Sequence, residues 1–221
     1  MPHVITMDYK KEKLADKAYR LLEELIVTLA LPPGSILNEP DLSAELKIGR
    51  TPIREALQRL AADNLVLIQP RRAIIVSDVY VSEHLVVLET RRVLEHLIAL
   101  SAAKRATLAE RDRLRKCADE ISLCASEGDI QNFMRLDKEF DAILGQASRN
   151  YFAARSCAPL QSLSRRFWFY HQEAGGLIES ANLHRNIMLA VADANKQDAG
   201  RASDALMDYL ESAARKALEA I

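Results

Sequence analysis

Arg50-Thr51-Pro52-Ile53-Arg54-Glu55-Ala56-Leu57-Gln58-Arg59-Leu60 is the stretch on which the fold turns. Read as a helix, it has two unlike faces. Ile53, Ala56, Leu57, Leu60 and Ala61 fall at the spacing of one apolar stripe, whereas Arg54, Gln58 and Arg59 point elsewhere. Thr51 is placed to cap the helix. Pro52 suits its first position, because the N–H it lacks would have had no partner there. Arg50 sits just before the start, so guanidinium groups gather at the first turns. A helix that enters a DNA major groove by its N-terminal end needs this arrangement. A solvated amphipathic surface helix carries the same charges, so the neighbouring residues decide between the two.

Upstream, Leu14, Ala18, Leu21, Leu22, Leu25, Ile26 and Leu29 recur at helical spacing and predict a first helix from about Leu14 to Ala30. Leu31-Pro32-Pro33-Gly34 stops it, and Ser35-Ile36-Leu37 reads as a short extended piece. Asn38 can cap a second helix with Glu39 and Pro40 in its first turn and Leu42, Leu46 and Ile48 on its buried side. Gly49 then provides the tight turn, and helix–turn–helix spacing results. Downstream, Leu65-Val66-Leu67-Ile68-Gln69 and Ala73-Ile74-Ile75-Val76-Ser77 are β-rich runs around Pro70-Arg71-Arg72. They predict a hairpin wing with two arginines at its tip.

The whole chain of 221 residues has a formal net charge of −1, so any nucleic-acid-binding charge must be local. It is: from Lys47 to Arg72 six basic residues face two acidic ones, a net of +4. Such a patch attracts phosphates whatever the base sequence. Arginine also suits bidentate contact with guanine, so Arg50 and Arg54 are expected at base edges. Thr51, Arg71 and Arg72 are expected at phosphates or the minor groove, and Arg59 on the solvent face.

From Tyr80 onward nothing reads as strand. Apolar spacing predicts helices ending near Arg105, running from Thr107 to about Ser126, beginning after an Asp129 cap, spanning 151–172, and lying near 177–195 and 198–220. Gly175-Gly176 is expected to break the chain between the fourth and fifth. The fold class expected is therefore mostly α. An N-terminal winged helix-turn-helix with a small β-hairpin wing occupies residues 10–79, and a C-terminal all-α six-helix bundle occupies residues 80–221. Cys117, Cys124 and Cys157 match no metal or disulfide spacing and read as reduced thiols. Met1 to Asp8 lacks a leader's apolar run, and no stretch has membrane-spanning length, which predicts a cytoplasmic protein without a membrane partner.

The run from Pro32-Pro33-Gly34 through Asn38-Glu39-Pro40-Asp41-Leu42 to Gly49-Arg50-Thr51-Pro52-Ile53-Arg54-Glu55-Ala56-Leu57-Gln58-Arg59-Leu60 resembles the winged helix of GntR-family bacterial repressors. The resemblance implies that Arg50, Thr51 and Arg54 contact operator DNA. Two residues depart from the family's pattern: Pro40 stands where an arginine is usual, and Ala73 where a wing-tip glycine is usual. Glu89-Thr90-Arg91-Arg92-Val93-Leu94-Glu95, Leu136-Asp137-Lys138-Glu139-Phe140-Asp141 and His184-Arg185-Asn186-Ile187 resemble the FCD effector domain of the FadR branch, in its shorter, VanR-like form. That likeness implies a divalent metal ion inside the bundle, held by Asp137 and His184. Asp141 stands where a histidine is usual, and Tyr209 aligns with the usual last histidine. Two carboxylates and one imidazole form a harder ligand set than zinc prefers. The alternative is no metal, with the acids satisfied by Arg91, Arg92 or other cations.

Together these readings predict a dimeric, ligand-responsive repressor that binds a palindromic operator in double-stranded DNA. The small-molecule effector, carboxylate-bearing, is expected in the bundle at Arg91, Asp137, Asp141 and His184. Arg91 can grip a carboxylate or pair with Glu95 four residues on. Phe140, Phe167 and Trp168 are candidate walls, and His171 reads as a packed core residue. The competing classes are a metal-dependent helical enzyme using Asp137, Asp141 and His184, and a structural helical protein without DNA function. No nucleophile–base motif or phosphate loop supports the enzyme.

Overall fold

The computed structural model describes residues 12–171 and 176–219. The stretch Met1 to Asp8, the expected start at residue 10, the helix end at residue 172, Gly175 as a helix breaker and residue 220 lie outside the described residues. The chain divides between Asp78 and Val79 into two compact units.

In the first unit, α1 (Leu14–Val27) buries Ala18, Leu22 and Ile26, which lie at successive i+4 positions. It ends before the expected Ala30: Leu29 turns left-handed, and the Leu31 N–H donates to the Leu25 carbonyl at 2.9 Å. β1 (Ile36–Leu37) leads into α2 (Glu39–Leu46), whose C-cap Lys47 is left-handed. α3 (Arg50–Ala62) buries Ile53, Ala56, Leu57 and Leu60 and packs on α1. Its cap is Gly49, not Thr51, because the Ile53 N–H already bonds the Gly49 carbonyl at 3.3 Å. Pro52 therefore sits in the first turn two residues later than expected, still among the N–H positions that lack an intrahelical partner.

β2 (Val66–Gln69) and β3 (Ala73–Val76) form the hairpin, with Val66 opposite Val76 and Gln69 opposite Ala73. β1 adds antiparallel to β3, so the sheet order is β1-β3-β2. The left-handed wing-tip residue is Arg71, at φ 60°, while Ala73 is already paired in β3. A glycine is therefore not needed at 73, and the conformational cost of about 1 kcal/mol falls on Arg71 instead.

The second unit consists of α4 (Val81–Arg105), α5 (Leu108–Glu127), α6 (Ile130–Ser148), α7 (Tyr151–His171), α8 (Gly176–Ala192) and α9 (Lys196–Glu219). α4 packs on α6, α7, α8 and α9, while α5 covers α6 and α8. Gly200 lets α9 approach α4 closely, since a Cβ there would meet His96 Cε1 at 2.9 Å. Thr107 caps α5 in a reciprocal box with Glu110, and Asp129 caps α6. Pro159 lies inside α7 and gives no N–H to the carbonyl four residues before it. The core of this unit includes Leu114, Ile121, Leu136, Phe140, Ile143 and Met188, at most 2% exposed, whereas the apolar Val93 and Leu97 of α4 face outward.

Candidate functional site

The first unit presents Lys47, Arg50, Thr51, Arg54, Arg71 and Arg72 to solvent, at the start of α3, just before it and at the hairpin tip. Arg54 Nη2 donates to Glu39 Oε2 on α2 at 2.7 Å, yet its side chain stays 62% exposed. Hydrogen bonds from Arg54, with Arg50 adding charge, outweigh burial and hold the Glu39 carboxyl below its ordinary range. The pair aims a guanidinium that remains open to a further acceptor. Arg59 is committed within its own unit: Nη1 meets Asp16 Oδ1 at 2.6 Å, and the guanidinium lies 4.4 Å from the Tyr19 ring centroid.

The second unit holds a buried ionic cluster drawn from four helices. Arg91 on α4 donates to Glu95 Oε1 at 2.9 Å, and so does Gln161 Nε2 on α7, also at 2.9 Å. Asp137 and Asp141 lie one turn apart on α6. Between them comes Arg165 of α7, whose Nη1 is 2.6 Å from Asp141 Oδ2 and 3.5 Å from Asp137 Oδ2. His184 of α8 meets Asp137 Oδ1 through Nε2 at 2.9 Å and the Ser180 carbonyl through Nδ1 at 2.7 Å. These charged side chains are no more than 10% exposed. Sequence reasoning missed Arg165. Arg92, an expected partner of the acids, instead reaches Asp208 and Glu211 on α9.

Both His184 nitrogens face acceptors, so both donate, and the ring is an imidazolium. Burial opposes that charge, but Asp137 outweighs it and raises the His184 pKa. Burial likewise pushes Asp137 up, but the His184 charge and hydrogen bond, with Arg165 and Arg91, hold it down at about 2. Asp141 goes the other way, to about 8, because burial and the charges of Asp137 and Glu95 outweigh Arg165 and Arg91.

Folding thus raises His184 and Asp141 above their unfolded values. Their stabilisation is complete below the unfolded pKa of each and is lost as pH rises through the folded one. The melting temperature of the helical unit is expected to fall from about pH 4 to about pH 8 as Asp141 gives up its proton, with His184 adding to the fall above about pH 6.5. Asp141→Asn, which keeps the uncharged shape, should flatten that slope; an unchanged slope in thermal melts would refute the assignment.

The residues do not suit a divalent metal. Asp141 is occupied by Arg165, both His184 nitrogens are engaged, and Tyr209 Oη donates to the Gly176 carbonyl at 3.0 Å. Among the described residues no three His, Cys, Asp or Glu side chains converge as a ligand set. The free space at Arg91, Asp137, Arg165 and His184 is about 30 Å³. That holds about one or two waters. Arg91 takes the pairing with Glu95 that its spacing allowed. A larger cavity of about 500 Å³ lies beside the cluster, with His84, Phe167, Trp168, His171, Tyr209 and Leu210 among its lining. Phe167 and Trp168 are thus walls, whereas Phe140 is buried edge-on to His184, 5.7 Å between centroids.

Comparison with known proteins agrees with this architecture. The FCD domain pattern matches residues 86–209, and the pattern of the bacterial regulatory proteins of the gntR family matches residues 14–76. The HTH-type transcriptional repressor RspR of Escherichia coli is 27% identical over 128 residues, 58% of this chain and 56% of that protein. An HTH-type transcriptional regulator of Agrobacterium vitis is 30% identical over 136 residues, 58% of this chain and 76% of that protein. The chain spans little more than half the length of the first of these relatives. The solved structure of E. coli McbR/YncC superposes with a TM-score of 0.81 at 18% identity, covering 94% of this chain and 100% of that one, a likeness of fold. No described helix is long and apolar enough to cross a membrane. The chain belongs to the gntR family of bacterial regulatory proteins, in the group that joins the winged helix to an FCD domain, a family of transcription regulators rather than enzymes.

Proposed function

We propose that the chain is a cytoplasmic transcriptional repressor that binds a palindromic operator as a homodimer and releases it when a small effector enters the helical unit. The exposed, pre-aimed Arg54 beside Arg50 at the start of α3 carries the reading. Arg50 and Arg54 address base edges, while Thr51, Arg71 and Arg72 address the backbone or the minor groove. One winged helix reads few base pairs, so two-fold symmetry doubles the site. α4 supports a dimer with the unpartnered stripe Val86, Val93 and Leu97, exposed by 62%, 70% and 42%. These positions share one helical face. The effector acts by favouring one of two placements of the winged helices. Because Arg91 is committed to Glu95 and the cluster holds little space, a carboxylate-bearing effector has no open cation there.

Fluorescence anisotropy on the protein's own promoter tests this reading. Binding should fall steeply with salt. Changing Arg71 and Arg72 together to Ala should weaken binding to all sequences alike and make the log–log salt slope shallower by about 2. Equal binding to a shuffled promoter at every salt concentration would refute the proposal.

A further inference from the structure

The cavity beside the ionic cluster has a chemistry that the cluster lacks. Three rings form a column along its wall. His84 of α4 stacks on Phe167 of α7, 3.8 Å between centroids and 11° between planes, and Phe167 meets His171 at 4.4 Å with the planes tilted by 39°. Trp168 lies on the same cavity and packs on Phe133 at 5.3 Å, and Phe133 in turn stands edge-on to His184. Leu183 and Leu210 add apolar lining. Both imidazoles are uncharged at neutral pH: burial, helped by Arg91 and His171, brings His84 down to about 3, and burial lowers His171. The charged lining residues, Glu179 and Lys216, are exposed and of opposite sign. The volume of about 500 Å³ is in the range of small-molecule sites.

We propose that this cavity binds a planar, uncharged ring compound, packed against the His84–Phe167–His171 rings. The inference rests on the effector reading above and names the ligand class for it. Anions are disfavoured because the cluster's guanidinium groups are already paired and the column carries no charge. Saturated rings are disfavoured because they forgo edge-to-face and offset aromatic contact, which is worth about three- to tenfold in affinity. Trp168 is the chain's one tryptophan, so its fluorescence reports the cavity directly.

Three probes of similar size separate these properties: phenol, planar and uncharged; cyclohexanol, uncharged but not planar; benzoate, planar but charged. Phenol is expected to quench Trp168 saturably and to bind about three- to tenfold more tightly than cyclohexanol. Benzoate is expected to bind more weakly than phenol. Ala213→Phe, which fills the cavity from α9, should abolish quenching without lowering the melting temperature. His84→Leu, which keeps an apolar wall, should erase the preference of phenol over cyclohexanol. Benzoate binding more tightly than phenol, no saturable change with any probe, or quenching untouched by Ala213→Phe would each overturn the assignment. Operator binding in the same samples separates the two proposals. If DNA still binds while all probes fail, only the cavity assignment falls. If phenol binds but operator affinity does not move, the cavity assignment stands and the effector reading falls.

Discussion

An Arg165→Ala protein is expected to lose about 3–5 kcal/mol of stability in its helical unit, the usual result of removing one partner from a buried ion pair. Arg165 stands between Asp137 and Asp141 and is the cation nearest to Asp141. Without it, two carboxylates one helical turn apart remain in a site with room for about one or two waters. Asp141 then keeps its proton but loses its 2.6 Å partner, and Asp137 is left with His184 alone at close range. Urea unfolding followed by Trp168 fluorescence measures the effect. The double variant Arg165→Met with Asp141→Asn removes the cation and one carboxylate together, leaving Asp137 with His184. It should regain most of the loss, since replacing a whole buried pair is often close to neutral. A midpoint for Arg165→Ala indistinguishable from the parent's would show that the cluster is held by something other than this guanidinium.

The second large effect is expected on DNA. Arg50→Ala and Arg54→Ala should each weaken operator binding by about 10- to 100-fold and relax the choice of base at one position of each half-site. Both side chains are exposed, so the melting temperature should hardly change. Arg54→Lys should not restore binding, because an ammonium cannot make the paired hydrogen bonds of a guanidinium fork. Anisotropy titrations over a set of single-base operator variants supply both numbers. An Arg50→Ala/Arg54→Ala protein that binds as the parent does would remove α3 from the interface.

What could be read from the residues follows their periodicity. Ile53, Ala56, Leu57 and Leu60 repeat at helical spacing and are buried; the β-branched runs around Pro70-Arg71-Arg72 became β2 and β3. Six helices after Tyr80 followed from the same rule. Local exceptions were less visible. The α3 cap moved from Thr51 to Gly49 because backbone bonding, not side-chain chemistry, sets where that helix begins. Arg165 was missed because an arginine in a helix is ordinarily solvated, and spacing does not say which charge turns inward. A signal was present: Asp137 and Asp141 at i and i+4 require a cation on a facing helix. Cys157, Gln161, Ser164, Arg165 and Trp168 mark one face of α7, a polar streak where core residues were due. Of the cavity, only the walls Phe167 and Trp168 were visible in the sequence, because His84, Phe167 and Tyr209 lie far apart along the chain and meet through packing.

Pro159 gives α7 an uneven stiffness. It precedes the turns that carry Gln161, Arg165, Phe167, Trp168 and His171. Elsewhere along this rod, flexing must stretch the ladder of main-chain bonds; here one rung is missing from the outset, so a small tilt breaks nothing. A displacement imposed near Trp168 is therefore relieved at this joint before it can strain the stretch that begins at Tyr151. The rod has a compliant point on the N-terminal side of the residues that would feel a guest, and its far end stays quiet.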